Sequence, residues 1–164
     1  MPTVVVDGVP AGAGNLRRGR GGALYNPDKR TAPWKGAVAA AVAAELGAEP
    51  ASRLPIELDC FFFFVRPGGH FKKDGTLRAS ARRLPTVKPD ADKLVRAVLD
   101  ALTGVLYVDD AQVVWLTVRK AYGSRARLEL SWALLAGAGP ELGDSALAAR
   151  ARYSLLGGGG VIRG

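Results

Sequence analysis

Cysteine, histidine and methionine each occur once in the 164 residues, and these scarcities close off several chemistries. The single cysteine, Cys60, excludes an internal disulfide framework and fits a reducing cytoplasm. Sitting in the apolar run 60–65, CFFFFV, it reads as core filler rather than nucleophile. The lone His70 lies in a polar stretch where nothing fixes its position, so it reads as a loop histidine rather than a general base. The apolar run 60–65 is only strand-length, and nothing in the sequence resembles a signal peptide or a membrane span. The glycines of 10–30 lack the G-x-x-x-x-G-K-[ST] order of a Walker loop, and no internal repeat is visible.

What is abundant is positive charge. Lys and Arg number 23 against 15 Asp and Glu, a formal net charge of +8, with a pI near 10.1. This favours a polyanionic partner, nucleic acid before an acidic membrane. Apolar residues at 48% and charged residues at 23% are ordinary for a globular protein. The length allows one domain with a real core.

Residues 3–6 predict a first strand. The glycine-rich loop 10–30 carries Arg17, Arg18, Arg20, Lys29 and Arg30, side chains suited to phosphates, whose neutralisation dominates nucleic-acid affinity. A solvated basic loop has the same composition. Residues 31–46 predict a helix, with Pro33 in the first turn and AVAAAVAAEL supplying propensity. Residues 54–65 predict a strand whose Ile56, Leu58, Cys60 and Phe62 share one side. Its FFFFV half is apolar on both, which suits a central strand covered twice, or once by a partner subunit. Glu57 and Asp59 read as solvent-facing. A second basic segment, 67–87, carries Lys72, Lys73, Arg78, Arg82 and Arg83 against Asp74 alone. Further on, 113–122 and 127–134 predict two strands forming an antiparallel hairpin around Gly123-Ser124-Arg125. The domain is expected to span 1–136. Residues 137–164 read as a tail, with a short helix at 144–156 and disorder beyond.

The chain is organised around residues 88–118, KPDADKLVRAVLDALTGVLYVDDAQVVWLTV. Pro89 disfavours helix at Lys88, so Asp90 stands at a helix N-cap position. At ~100° per residue, Asp92, Lys93, Arg96 and Asp100 share one arc, while Leu94, Val95, Val98, Leu99, Ala101 and Leu102 face a core. Thr103-Gly104 closes the helix. If the helix start (Asp90, Asp92) met the strand start (Asp109, Asp110), the crowded carboxylates would need a cation, and hard Mg²⁺ suits oxygen donors. Asp at a helix start is also an ordinary cap, and Asp-Asp an ordinary turn. On the residues alone the two readings weigh about equally.

The segment resembles the signature of the RusA family of Holliday-junction resolvases, K-P-D-x-D-N-L-x-K-x-x-x-D-A-L followed by D-D-x-Q-V. This chain reads Lys88-Pro89-Asp90-Ala91-Asp92-Lys93-Leu94, Arg96, Asp100-Ala101-Leu102, then Asp109-Asp110-Ala111-Gln112-Val113. Looser similarity runs from about residue 4 to 133. The resemblance implies that Asp90, Asp92 and Asp110 are metal-binding catalytic carboxylates, with Asp109 as a further ligand or support. Two positions depart from the pattern: Lys93 replaces its Asn, and Arg96 its catalytic Lys. Arg keeps the charge and can grip a phosphate twice, but it does not exchange protons near neutral pH; Lys93 could share the role.

The expectation is therefore an α/β (α+β) domain, a mixed sheet with packed helices. It would act as a homodimeric, cytoplasmic endonuclease, bacterial or phage-encoded and nucleoid-associated. Its cofactor would be Mg²⁺, with Mn²⁺ as a substitute, and its substrate DNA four-way junctions. Arg17, Arg18, Arg20, Lys29, Arg30, Lys72, Lys73, Arg82, Arg83 and Lys88 would hold the DNA. A non-catalytic structure-specific DNA binder would share the basic loops but ignore Mg²⁺. An enzyme on a small phosphate substrate would share the carboxylates but show little salt dependence.

Overall fold

The computed structural model describes residues 1–14, 17–18, 21–25 and 28–135. The tail predicted at 137–164, with its helix at 144–156, lies outside the described residues. Residues Met1–Leu134 form one compact unit. In chain order its elements are β1 (Thr3–Asp7), the short strands β2 (Arg17–Arg18) and β3 (Leu24–Tyr25), α1 (Thr31–Leu46), β4 (Ile56–Val65), α2 (Ala91–Leu102), β5 (Val113–Gly123) and β6 (Arg127–Leu134). Four strands make a mixed sheet in the order β1-β6-β4-β5, and β2 pairs with β3 apart from it. The predicted mixed sheet with packed helices is present.

The alternation read in β4 holds. Ile56, Leu58, Cys60 and Phe62 are fully buried and meet Val4, Val6, Leu128, Leu130 and Trp132 on the same face. Both helices pack there, α1 through Trp34, Val38 and Val42, α2 through Leu94, Ala97, Val98 and Leu102. Burial pushes the Cys60 thiol up to about 12, the inert thiol of a core position. The opposite face is half-exposed. There Phe61 and Phe63 lie with ring centroids 4.2 Å apart, under the guanidinium groups of Arg119 and Arg127.

The predicted hairpin of the last two strands is not formed. β5 pairs in parallel with β4, Cys60 opposite Val118, while β6 lies antiparallel between β4 and β1. Burial explains the placement. β6 carries three fully or nearly fully buried apolar residues and suits the sheet interior, whereas β5 leaves Val114 and Leu116 exposed and suits an edge. Residues 124–126 therefore carry the chain past the end of β4, two strand spacings or about 10 Å, within their reach.

α2 occupies the expected residues and is closed as expected by Thr103 and by Gly104 at φ 78°. Asp90 is its N-cap residue, yet its carboxylate makes no capping hydrogen bond. It is drawn instead to Lys93, one turn on. Phe62→Ala should cost about 3–5 kcal/mol in urea unfolding and Phe61→Ala less than about 2. Equal costs would show that the two faces of β4 are not distinguished in this way.

Candidate active site

Strand direction gathers the basic segments. β4 and β5 run the same way, so α2 must return between them, and the segment joining β4 to α2 lies at their carboxyl ends. β1 runs with them, since both are antiparallel to β6, and the loop after β1 emerges at that end too. Ligands of α/β folds bind at this edge.

The second basic segment is ordered by its own cations. The Arg66 guanidinium stacks 4.3 Å from the Tyr122 ring and donates to the Arg82 carbonyl at 2.7 Å. Arg78 donates to the Phe71 carbonyl, and Arg82 to Thr86. His70 is half-buried with its ring edge on Tyr122. Lys120 donates to the carbonyls of Val87 at 2.9 Å and Pro89 at 2.7 Å, fixing the approach to Asp90 across the cis Lys88–Pro89 bond.

Where α2 begins, Gly12, Gly14, Asp28, Arg30, Lys88, Pro89, Asp90 and Lys93 line an open cleft of about 340 Å³. Two ion pairs furnish it: Lys93 with Asp90 at 3.3 Å, and Arg30 with Asp28 at 2.9 Å. The hydrogen bonds from Arg30 hold the Asp28 carboxyl below the usual carboxylate range. The first loop is pinned to the helix here. Ala13 N–H donates to the Lys93 carbonyl at 2.8 Å, and the Thr31 hydroxyl donates to the Gly12 carbonyl at 2.9 Å. A Cβ on Gly12 would lie 2.9 Å from the Lys93 Cβ, so this approach needs glycine.

Asp109 and Asp110 are elsewhere. They sit where α2 has ended and β5 has not begun, in a single helical turn (Asp110–Gln112) before the strand. The Asp109 carboxylate caps that turn through Ala111 N–H at 2.9 Å. Gln112 accepts from the backbone of Val108 and Asp109 and donates to the carbonyls of Ser52 and Leu54, all near 3 Å. Asp110 neighbours Tyr107, whose hydroxyl pKa is raised by burial first and by the Asp110 charge second. The length of α2, twelve residues or about 18 Å of rise, separates this turn from Asp90. The expected meeting of helix start and strand start does not occur within one chain. Among the described residues no three His, Cys, Asp or Glu side chains are placed to hold a metal ion. A single protomer therefore does not fit the Mg²⁺ site that its carboxylates suggest.

The other candidates fall into three groups. Asp92 and Arg96 are exposed on the outer face of α2, next to the cleft in sequence. Arg18, Lys29, Arg30, Lys72, Lys73, Arg82, Arg83 and Lys88 are exposed. Arg17 belongs to the pair β2–β3, and Arg20 lies outside the described residues. Three contributors went unread: Asp28, Gly12 and Lys120. The sequence Asn26-Pro27-Asp28, with its turn composition, was a usable signal for the first; nothing local announces the other two.

The fold and its basic end define an α/β domain with an anion-facing edge beside carboxylates, the arrangement of a protein that acts on nucleic acid. The family model described as "Endodeoxyribonuclease RusA" matches residues 7–131, and the chain belongs to that family. It is also 31% identical over 128 residues to the "Uncharacterized protein YqaN" of Bacillus subtilis (strain 168), covering 76% of this chain and 90% of that protein.

Gly12→Ala must push the loop off Lys93 and should cost about 1–3 kcal/mol in thermal unfolding. Gly21→Ala, with nothing within 4 Å, should change stability by less than about 0.5 kcal/mol. Equal, small effects would mean that the loop is not fastened at this point.

Proposed function

We propose that this protein is a structure-specific endodeoxyribonuclease that resolves DNA four-way junctions by paired nicks. The observation that carries the reading is the arrival of both basic segments at the end of α2 that bears Asp90 and Asp92, in a chain of the RusA family. Phosphodiester cleavage needs cations to grip the strand and carboxylates at the scissile bond. Lys72, Lys73, Arg82, Arg83, Lys88 and the loop arginines supply the first, and Asp90, Asp92 and Asp110 the second.

Arg96 follows Asp92 by one turn of α2, and its planar guanidinium suits two oxygens of one phosphate. Lys93 offers a point charge from inside the cleft. Asp109, occupied in capping the turn, supports Asp110. The all-oxygen donor set is that of a hard divalent cation such as Mg²⁺, with Mn²⁺ as a substitute, and a bound ion of this kind would activate a water for attack on phosphorus. Among the described residues no helix is long and apolar enough to cross a membrane, and action on DNA suits a cytoplasmic, nucleoid-associated protein working as a homodimer.

A second reading, a junction binder without catalysis, is favoured by the lack of a three-carboxylate cluster among the described residues of one protomer. A labelled synthetic junction, incubated with Mg²⁺ and with EDTA, separates the two when nicks are mapped on all four arms. Symmetric nicks in Mg²⁺ alone support the nuclease; an uncut, bound junction in both supports the binder. Asp110→Asn should lower the cleavage rate by at least about 10²-fold while junction affinity stays within about threefold, and full activity in it would remove Asp110 from the chemistry. Replacing Lys72 and Lys73 by Ala should weaken binding to junction and duplex alike and flatten the slope of log affinity against log salt by about 2.

A further inference from the structure

We propose that the hairpin from Phe71 to Leu77 is a wedge that distinguishes branched DNA from a continuous duplex. Phe71 and Leu77 lie against base pairs laid open at the branch point, and Lys72 and Lys73 take the phosphates beside them. The inference rests on the nuclease reading for its substrate and on this hairpin for its geometry.

The segment folds on its own bonds, with every residue from 71 to 80 exposed. Lys72 N–H donates to the Thr76 carbonyl and Arg78 N–H to the His70 carbonyl, both at 2.8 Å. These bonds flank Phe71 and Leu77, which face each other across the hairpin. The two are thus a non-hydrogen-bonded pair, the kind that brings side chains closest together on one face. At the tip the Asp74 carboxylate accepts from the Thr76 N–H at 2.9 Å and from its hydroxyl at 2.7 Å, and Gly75 turns the chain at φ 82°. The Arg78 guanidinium closes the other end on the Phe71 carbonyl at 3.0 Å.

A hairpin exposed on both faces needs no apolar side chains for its own sake. Phe71 at 36% and Leu77 at 49% exposure nevertheless form a joint apolar patch. Lys72, Lys73 and Arg78 accompany it against Asp74 alone, and that carboxylate is engaged by Thr76. An apolar surface among cations complements the flat face of a base lying between phosphates. Within a duplex the next base pair covers that face. At a branch point the stack is interrupted, and a base is exposed most cheaply where it is already unstacked or unpaired. The hairpin is also well placed. His70, at its base, packs on Tyr122, and Lys120 holds the carbonyls of Val87 and Pro89 ahead of Asp90. These two anchors are two residues apart on β5, about 7 Å, so one short stretch of strand sets both the wedge and the first carboxylate.

Affinity for a synthetic junction and for a duplex of the same arm sequence, both in EDTA, tests the wedge without recourse to cleavage. Phe71→Ala and Leu77→Ala should each raise the junction dissociation constant at least about fivefold and leave the duplex value unchanged. Phe71→Tyr, which keeps the ring, should keep the preference for the junction. Loss of Lys72 and Lys73, by contrast, weakens both complexes. Both apolar side chains are exposed, so thermal unfolding of the variants should match that of the wild type. Equal weakening on junction and duplex overturns the proposal. So does no weakening on either, the result expected of a patch that meets another protein, and so does a wild type without preference for the junction. Wild-type protein that prefers the junction through Phe71 yet nicks nothing in Mg²⁺ would instead sink the nuclease reading and leave the wedge standing.

Discussion

Two parallel strands cannot be joined by a tight turn, and β4 reaches β5 only by way of α2, which must travel back along the sheet. Most of the functional layout follows from that one connection. The segment entering α2 is held at the carboxyl end of the strands, where the loop after β1 also emerges, and so that loop and Lys88-Pro89, which end the segment, line the same cleft. The segment leaving α2 is held at the other end, where Gln112 ties residues 108–109 to the carbonyls of Ser52 and Leu54. Each end of the helix is thus fastened by a buried or half-buried polar side chain, Gln112 below and Lys120 above. Both fix the backbone from which the aspartates project.

Charge is arranged locally rather than spread. At the cleft both carboxylates are already matched by cations, Asp90 by Lys93 and Asp28 by Arg30. These pairs are partly solvent-exposed, and pairs of that kind contribute little net stability, of order 0–1 kcal/mol. They keep like charges apart in the free protein and are readily exchanged for a phosphate or a metal ion. The Lys93 position matters most in this respect, because the RusA-like pattern has a neutral Asn there and this chain places an ammonium on its first aspartate.

Much of the fold was legible in the sequence, and the reasons are specific. The alternation of Ile56, Leu58, Cys60 and Phe62 and the helical stripe of Leu94, Val98 and Leu102 are short-range patterns that mirror one buried face directly. The partner of each strand is not short-range. Residues 113–134 read as a hairpin because the two strands are consecutive with turn residues between them, and the sequence has no local mark telling an edge strand from an interior one. The expected meeting of the two Asp pairs fails on a separate ground: one pair precedes α2 and the other follows it, so the length of the helix lies between them. The Asp90 cap failed for a different reason. Lys93 offers the carboxylate a full charge, and the backbone N–H groups of the first turn offer only dipoles.

A motif contiguous in sequence and divided in space imposes a condition on how the molecule can work. With Asp90 and Asp92 at one end of a helix and Asp110 at the other, no bending of side chains closes a gap of about 18 Å. Either the carboxylates act separately or they act between molecules. An edge strand with exposed Val114 and Leu116 is in any case a place where a further strand can pair.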